Sequence, residues 1–215
     1  MKVLSVNVGL PRTLSMQKQR VSTGIFKRPV SGVVKVGALN LEGDAHADLE
    51  VHGGPDKAVY VYSGDHVQYW KRVLNRDDLG PGTFGENLTV EGLTEEQVAI
   101  GDEFGVGTAR FLVTQPRLPC FKLALALETP TIVRTFLESG RTGFYLRVLQ
   151  PGGLQTGDSI VSLPSREVAR VTIAEFLEVH RRRHTTRNQI DKILNLGALP
   201  ASWKDWFAAK VQISE

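Results

Sequence analysis

Cys120 is the only cysteine in 215 residues, and it sits in Gln115-Pro116-Arg117-Leu118-Pro119-Cys120-Phe121-Lys122-Leu123, between two fixed cations and behind two prolines. Each proline locks its own φ, removes a backbone donor and pushes the preceding residue toward extended geometry. The thiol is therefore expected on a stiff, irregular turn, not inside a helix or a central strand. Arg117 and Lys122 favour thiolate over thiol, and thiolate is the form that attacks electrophiles or binds soft metals. An inert, buried thiol is the alternative reading, because cysteine is among the most often buried residue types.

Two further stretches carry polar groups next to glycines. In Asp48-Leu49-Glu50-Val51-His52-Gly53-Gly54-Pro55-Asp56-Lys57, the paired glycines permit positive φ and close approach of a ligand to the backbone. His52 and Lys57 offer donors to an anion or a metal-bound oxygen there, while a hairpin that merely needs glycine to turn is the bland alternative. Gly80-Pro81-Gly82-Thr83-Phe84-Gly85-Glu86-Asn87 sets the polar pair Glu86 and Asn87 directly before a strand. Surface loops of this kind often carry function when a rigid scaffold holds them.

The scaffold those loops need reads as mainly β. Strand-like runs cover Val3 to Gly9, Lys27 to Val30, Val33 to Val36, Ala58 to Tyr62 and Leu88 to Val90. Glu103 to Val106 and Ala109 to Gln115 read as a hairpin whose second strand delivers the cysteine turn, and Arg141 to Val148 returns to a strand. Helical spacing covers Ser63 to Leu74, with His66 in the first turn as a surface residue, then Lys122 to Leu127 and Thr131 to Glu138, the last closed at Gly140. Thr94-Glu95-Glu96-Gln97 fits a capping box over one or two turns at most. Gly101-Asp102 and Gly157-Asp158 each precede a strand and resemble repeated barrel corners. Many short strands with edges to protect favour a closed or nearly closed barrel with peripheral helices over residues 1–164.

Composition shifts after Leu163-Pro164-Ser165, and residues 165–215 read as a small three-helix C-terminal domain. Thr172-Ile173-Ala174-Glu175 and Thr186-Arg187-Asn188-Gln189 are capping boxes, and Pro200 starts a third helix with Trp203, Trp206, Phe207 and Val211 as its apolar stripe. His180-Arg181-Arg182-Arg183-His184 is the most basic run. A solvated helix end is its default reading, because cations favour a helix C-terminus, so nucleic acid is not the expected partner.

A 41% share of hydrophobic residues with 23% charged residues is globular, and a net charge of +3 suits anionic ligands without demanding nucleic acid. The N-terminus alternates like a strand and is too short and polar for a signal peptide, and no apolar run is long enough for a bilayer. A single cysteine excludes an intramolecular disulfide and a cysteine-rich zinc cage and fits a reducing compartment, read as the cytoplasm.

Taken together and in this order, the stretch with His52-Gly53-Gly54, then Phe84-Gly85-Glu86-Asn87-Leu88, then Arg117-x-Pro119-Cys120, then Gly140-Arg141-Thr142-Gly143-Phe144-Tyr145 resemble the MOSC domain. The resemblance implies a MOSC-type β-barrel and a molybdenum cofactor on a pyranopterin dithiolene, with Cys120 as metal ligand. A soft thiolate suffices there because the cofactor brings the other sulfurs. It implies reduction of N-hydroxylated small molecules, 6-hydroxylaminopurine among them, to amines as a detoxification. His52, Glu86 and Asn87 stand as candidates for orienting substrate or metal-bound oxygen. Arg28, Lys57, Arg117, Lys122 and Arg147, with the backbone at Gly53, Gly54 and Gly85, are candidates for holding the anionic cofactor. With one cysteine there is no Cys-ligated cluster, so a separate electron-donating reductase is implied. Two rivals stay open: sulfur transfer through a Cys120 persulfide without metal, and an anion or nucleic-acid binding module. Oligomeric state is also open, a homodimer being one arrangement.

Overall fold

The computed structural model describes residues 1–16, 19–45, 47, 53–182 and 185–213. The strands are β1 (Lys2–Val8), β2 (Arg12–Met16), β3 (Gln19–Thr23), β4 (Arg28–Val30), β5 (Val34–Val36) and β6 (Val59–Ser63), followed by β7 (Leu88–Glu91), β8 (Glu103–Val106), β9 (Ala109–Pro116), β10 (Phe144–Gln150), β11 (Gly152–Leu154) and β12 (Ile160–Leu163). The helices are α1 (Val67–Leu74), α2 (Phe121–Ala126), α3 (Ile132–Ser139), α4 (Ile173–Arg181), α5 (Arg187–Leu194) and α6 (Ala201–Ile213).

Eight strands form one sheet in the order β12-β8-β9-β10-β6-β7-β1-β4, while β5 pairs with β11 and β2 with β3. Neighbours are antiparallel except β6 and β7, so the sheet is mixed. The expected closed barrel is not formed as a continuous ladder. The sheet curls until the start of β1 meets the segment entering β12, through the bridge Lys2↔Ser159 and bonds from Val3 N–H to the Asp158 carbonyl and from Gly157 N–H to the Val3 carbonyl, both 2.9 Å. Beyond that point β12 turns to pair with β8 and β1 with β7, and the two strands part. The fold is a sheet-dominated module with helices.

Strand β6 is buried at all five positions because the sheet is covered on both faces. Val59 and Val61 enter the main apolar cluster. Tyr60 and Tyr62 enter a second one with Trp70, Phe84, Leu123 and Phe136, which packs α1, α2 and α3 against the sheet. His66, expected at the surface, is buried instead, with Nε2 2.7 Å from Glu95 Oε2, while Glu95 Oε1 accepts from Gly143 N–H at 2.6 Å. A 3₁₀ turn over Gly64–His66, closed by Val67 N–H on the Gly64 carbonyl, carries it in just before α1 starts. Residues Thr94–Gln97 make a turn capped by the Gln97 side chain, not a helix.

Both tail capping boxes are present, with Thr172 accepting from Glu175 N–H and Thr186 from Gln189 N–H. The tail does not keep a separate core: Ile173, Phe176, Leu177, Ile190, Ile193 and Phe207 belong to the same cluster as the sheet residues. Its described arginines are engaged within the fold. Arg181 donates to the Leu137 and Glu138 carbonyls at the end of α3 (2.9 and 2.8 Å), Arg182 pairs with Glu178, and Arg187 with Asp191. Arg183 and His184 lie outside the described residues. Among the described residues no helix is long and apolar enough to cross a membrane.

Candidate active site

Strand β9 carries the chain to the site and ends at Pro116, where its partner β10 begins with Phe144. Arg117 N–H then donates to the Gly143 carbonyl (3.1 Å), so the last ladder rung hands over to a turn. Cys120 is extended, at φ −127° and ψ 176°, and its carbonyl accepts the first bond of α2 from Leu123 N–H (2.9 Å). Leu123 is fully buried under the turn. The thiol thus rides a proline-stiffened junction between strand and helix, as the residues predict, and is partly exposed.

The loop before β7 is built around Glu86. Its Oε1 accepts from Gly82 N–H (2.7 Å) and Thr89 Oγ1–H (2.9 Å), and its Oε2 from Phe84 N–H (3.0 Å). Burial pushes this carboxyl above its ordinary range, opposed by those bonds. Gly85 has φ +83°, and a Cβ there would stand 2.7 Å from Ile25 Cγ1, so only glycine lets the residue 25 segment lie against the loop. Glu86 therefore shapes the loop. Replacing it by Gln puts an amide donor against a backbone donor, and Glu86→Gln is expected to lower stability by about 1–3 kcal/mol, measured as a shift in the urea midpoint. An unchanged midpoint would show that the carboxylate is not the staple.

Asn87 is a second brace. Its Oδ1 accepts from Tyr60 N–H (3.0 Å) and its Nδ2 donates to Asp44 Oδ2 (2.8 Å). Asp44, 5% exposed, also accepts from Gly9 N–H (3.0 Å) and pairs with the Lys27 ammonium. Burial pulls the Lys27 pKa down, and Asp44 works against that.

These elements border a cavity of about 90 Å³ lined by Lys27, Tyr60, Gly85, Asn87, Arg117, Cys120, Lys122 and Tyr145, with residues 23–25, Ala45 and Ala47 completing the wall. Five of the sequence-derived candidates thus meet on one basic cavity: Cys120, Arg117, Lys122, Gly85 and Asn87. Arg117 is 6% exposed, with its guanidinium carbon 5.1 Å from the Tyr60 ring centroid and 5.5 Å from that of Phe136. Its Nη1 is buried without a hydrogen-bond partner among the described residues.

The other candidates stand elsewhere. Arg28 is exposed on β4, opposite Val8. Arg147 lines a different groove and donates from Nε to Asp56 Oδ1 (2.6 Å). Gly53, Gly54 and Lys57 precede or form the short turn at Pro55–Lys57 and are not on the cavity wall. His52 lies outside the described residues. Lys27, Tyr60, Tyr145 and Asp44 were not singled out by the sequence. Strand alternation turns Tyr145 away from the core face of β10 that carries Phe144 and Leu146, which was a usable signal for Tyr145. No local pattern distinguishes Lys27 from Arg28.

A curled mixed sheet presenting a thiol among cations at the end of one strand defines the class of protein. The MOSC domain family model matches residues 48–161. YflK of Bacillus subtilis (strain 168), an uncharacterized protein, is 43% identical over 97% of this chain and 93% of its own length. A Gibberella moniliformis protein named Reductase is 32% identical over 82% of this chain, which matches 32% of that longer protein. The crystal structure of YiiM from Geobacillus stearothermophilus superposes with a TM-score of 0.81 at 33% identity, covering 97% of this chain and 98% of that one. The chain belongs to the MOSC domain family.

Proposed function

We propose that this chain binds a molybdenum cofactor through Cys120 and reduces N-hydroxylated compounds, 6-hydroxylaminopurine among them, to the corresponding amines in the cytoplasm. The observation that carries the reading is the buried Nη1 of Arg117, without a hydrogen-bond partner among the described residues, on the wall of the cavity that also holds Cys120, Lys27 and Lys122. A buried guanidinium donor without a partner calls for an anion, and phosphate or dithiolene oxygen and sulfur supply one. Among the described residues no group of three His, Cys, Asp or Glu is placed to hold a metal ion. A pyranopterin dithiolene brings most of the metal's ligands with it, which suits a site where Cys120 is the ligand the described residues supply.

When bound, the cofactor supplies a two-electron centre. The protein supplies the thiolate of Cys120, the positive charge of Arg117, Lys27 and Lys122, and the side-chain-free approach at Gly85. Electrons come from a separate reductase, and the Reductase-named relative, about three times the matched length, is in keeping with a partner module. The engagement of Arg181, Arg182 and Arg187 within the fold speaks against a nucleic-acid grip.

Protein purified from a host that makes the cofactor is expected to carry stoichiometric molybdenum and pterin and, with an electron donor, to convert 6-hydroxylaminopurine to adenine. Reduction without bound molybdenum would sink the reading. A Cys120 persulfide in metal-free protein would favour sulfur transfer.

A further inference from the structure

Cleavage of an N–O bond by two electrons expels hydroxide unless the departing oxygen is protonated, so the reaction R–NHOH + 2e⁻ + 2H⁺ → R–NH₂ + H₂O needs an acid beside the oxygen. Most donors on the cavity wall already have fixed partners. The Tyr60 hydroxyl donates to the Thr142 carbonyl (2.8 Å), Asn87 donates to Asp44, and Lys27 is paired with Asp44. Tyr145 differs. Its phenol stands beside the Arg117 guanidinium on the same cavity wall, and a guanidinium has only donors, so toward Arg117 the phenol oxygen can only accept and keeps its own proton to give. The ring is fixed by β10 pairing and by the Tyr60 ring, with centroids 5.4 Å apart, and it shares the cavity with Cys120.

We propose that Tyr145 is the catalytic acid that protonates the departing oxygen, with Arg117 stabilising the phenolate that forms. This rests on the N-hydroxy reductase reading above. The O–H bond of Tyr145 breaks as the N–O bond breaks. Its proton leaves with the oxygen as water, the two electrons are those the separate reductase supplies, one proton reaches nitrogen, and solvent reprotonates the phenolate afterwards. Burial, reinforced by the nearby Cys120 and opposed by Arg117, pushes the phenol above its ordinary pKa, so it stays protonated near neutral pH until charge develops on the oxygen.

Tyr145→Phe keeps the ring contact with Tyr60 and removes only the hydroxyl. In cofactor-loaded protein the variant is expected to retain molybdenum and its urea midpoint, and to lose about 10²–10³-fold in kcat on N-hydroxy substrates. The decisive comparison uses an O-acetylated N-hydroxy substrate, whose acetate leaves without a proton. On that substrate the loss should shrink to within about 5-fold. An equal loss on both substrates, an unaffected kcat, or loss of molybdenum in parallel with activity would overturn the assignment. Wild-type protein that holds molybdenum but reduces no N-hydroxy compound would overturn the reductase reading itself, and the acid role with it, before the variant is compared.

Discussion

Cys120→Ser is expected to fold with a urea midpoint close to wild type, to lose bound molybdenum, and to show N-hydroxy reduction at background level. Serine has nearly the same shape, but its hydroxyl stays protonated near neutral pH and is a hard donor, whereas the proposed molybdenum site calls for a soft thiolate. Cys120 is only partly buried at a turn whose rigidity comes from Pro116, Pro119 and the buried Leu123, so the fold should feel the exchange by no more than about 1 kcal/mol. Metal content and activity must be read together, because a persulfide carrier would also be inactive as the serine variant. A serine variant that keeps full activity, or one that unfolds, would remove Cys120 from the centre of the site.

Asp44→Asn should produce the largest loss of stability among conservative changes around the cavity. Asp44 balances the Lys27 ammonium, whose side chain is 7% exposed, while also accepting from Gly9 and Asn87. An amide leaves Lys27 charged in a buried place and turns one acceptor into a donor facing other donors, at a cost on the order of 3 kcal/mol. The pH dependence has a definite sign. Burial already lowers the Lys27 pKa below its unfolded value of 10.5, and losing Asp44 lowers it further. Between that lowered value and 10.5 the unfolded chain holds more protons than the folded one, so stability rises with pH. The deficit of the variant should therefore be larger at neutral pH than in alkaline buffer, measured by urea unfolding in each. A deficit that grows with pH, or one below about 1 kcal/mol, would show that the pair does not carry this part of the structure. Because Lys27 and Asn87 both line the cavity, the same variant should also hold molybdenum less well.

Local chemistry determined much of this protein. The hairpin of β8 and β9, the Pro-bounded cysteine turn, the stop of α3 at Gly140 and the capping boxes of α4 and α5 all depend on residues within a few positions of one another, and each stands where the residues place it. Arg117, Cys120 and Lys122 share one turn by sequence alone, but their meeting with Gly85 and Asn87 is the work of the tertiary structure. What only the tertiary structure decided concerns partners distant in the chain. Tyr60 to Ser63 do not alternate, because helices cover the second face of the sheet, and His66 is buried because Glu95, 29 residues on, closes over it. Arg147 and Arg117 look alike as cations on or just beyond neighbouring strands, yet Asp56, 91 residues away, captures one, while the other keeps a buried Nη1 without a hydrogen-bond partner among the described residues. Whether the sheet closes is likewise a matter of how far its accumulated twist carries β1 past β12, which no single strand encodes. Glu86 and Lys27 exchanged their expected importance for the same reason: a side chain's neighbours in space, set by pairing over tens of residues, decide whether it braces the backbone or faces the cavity.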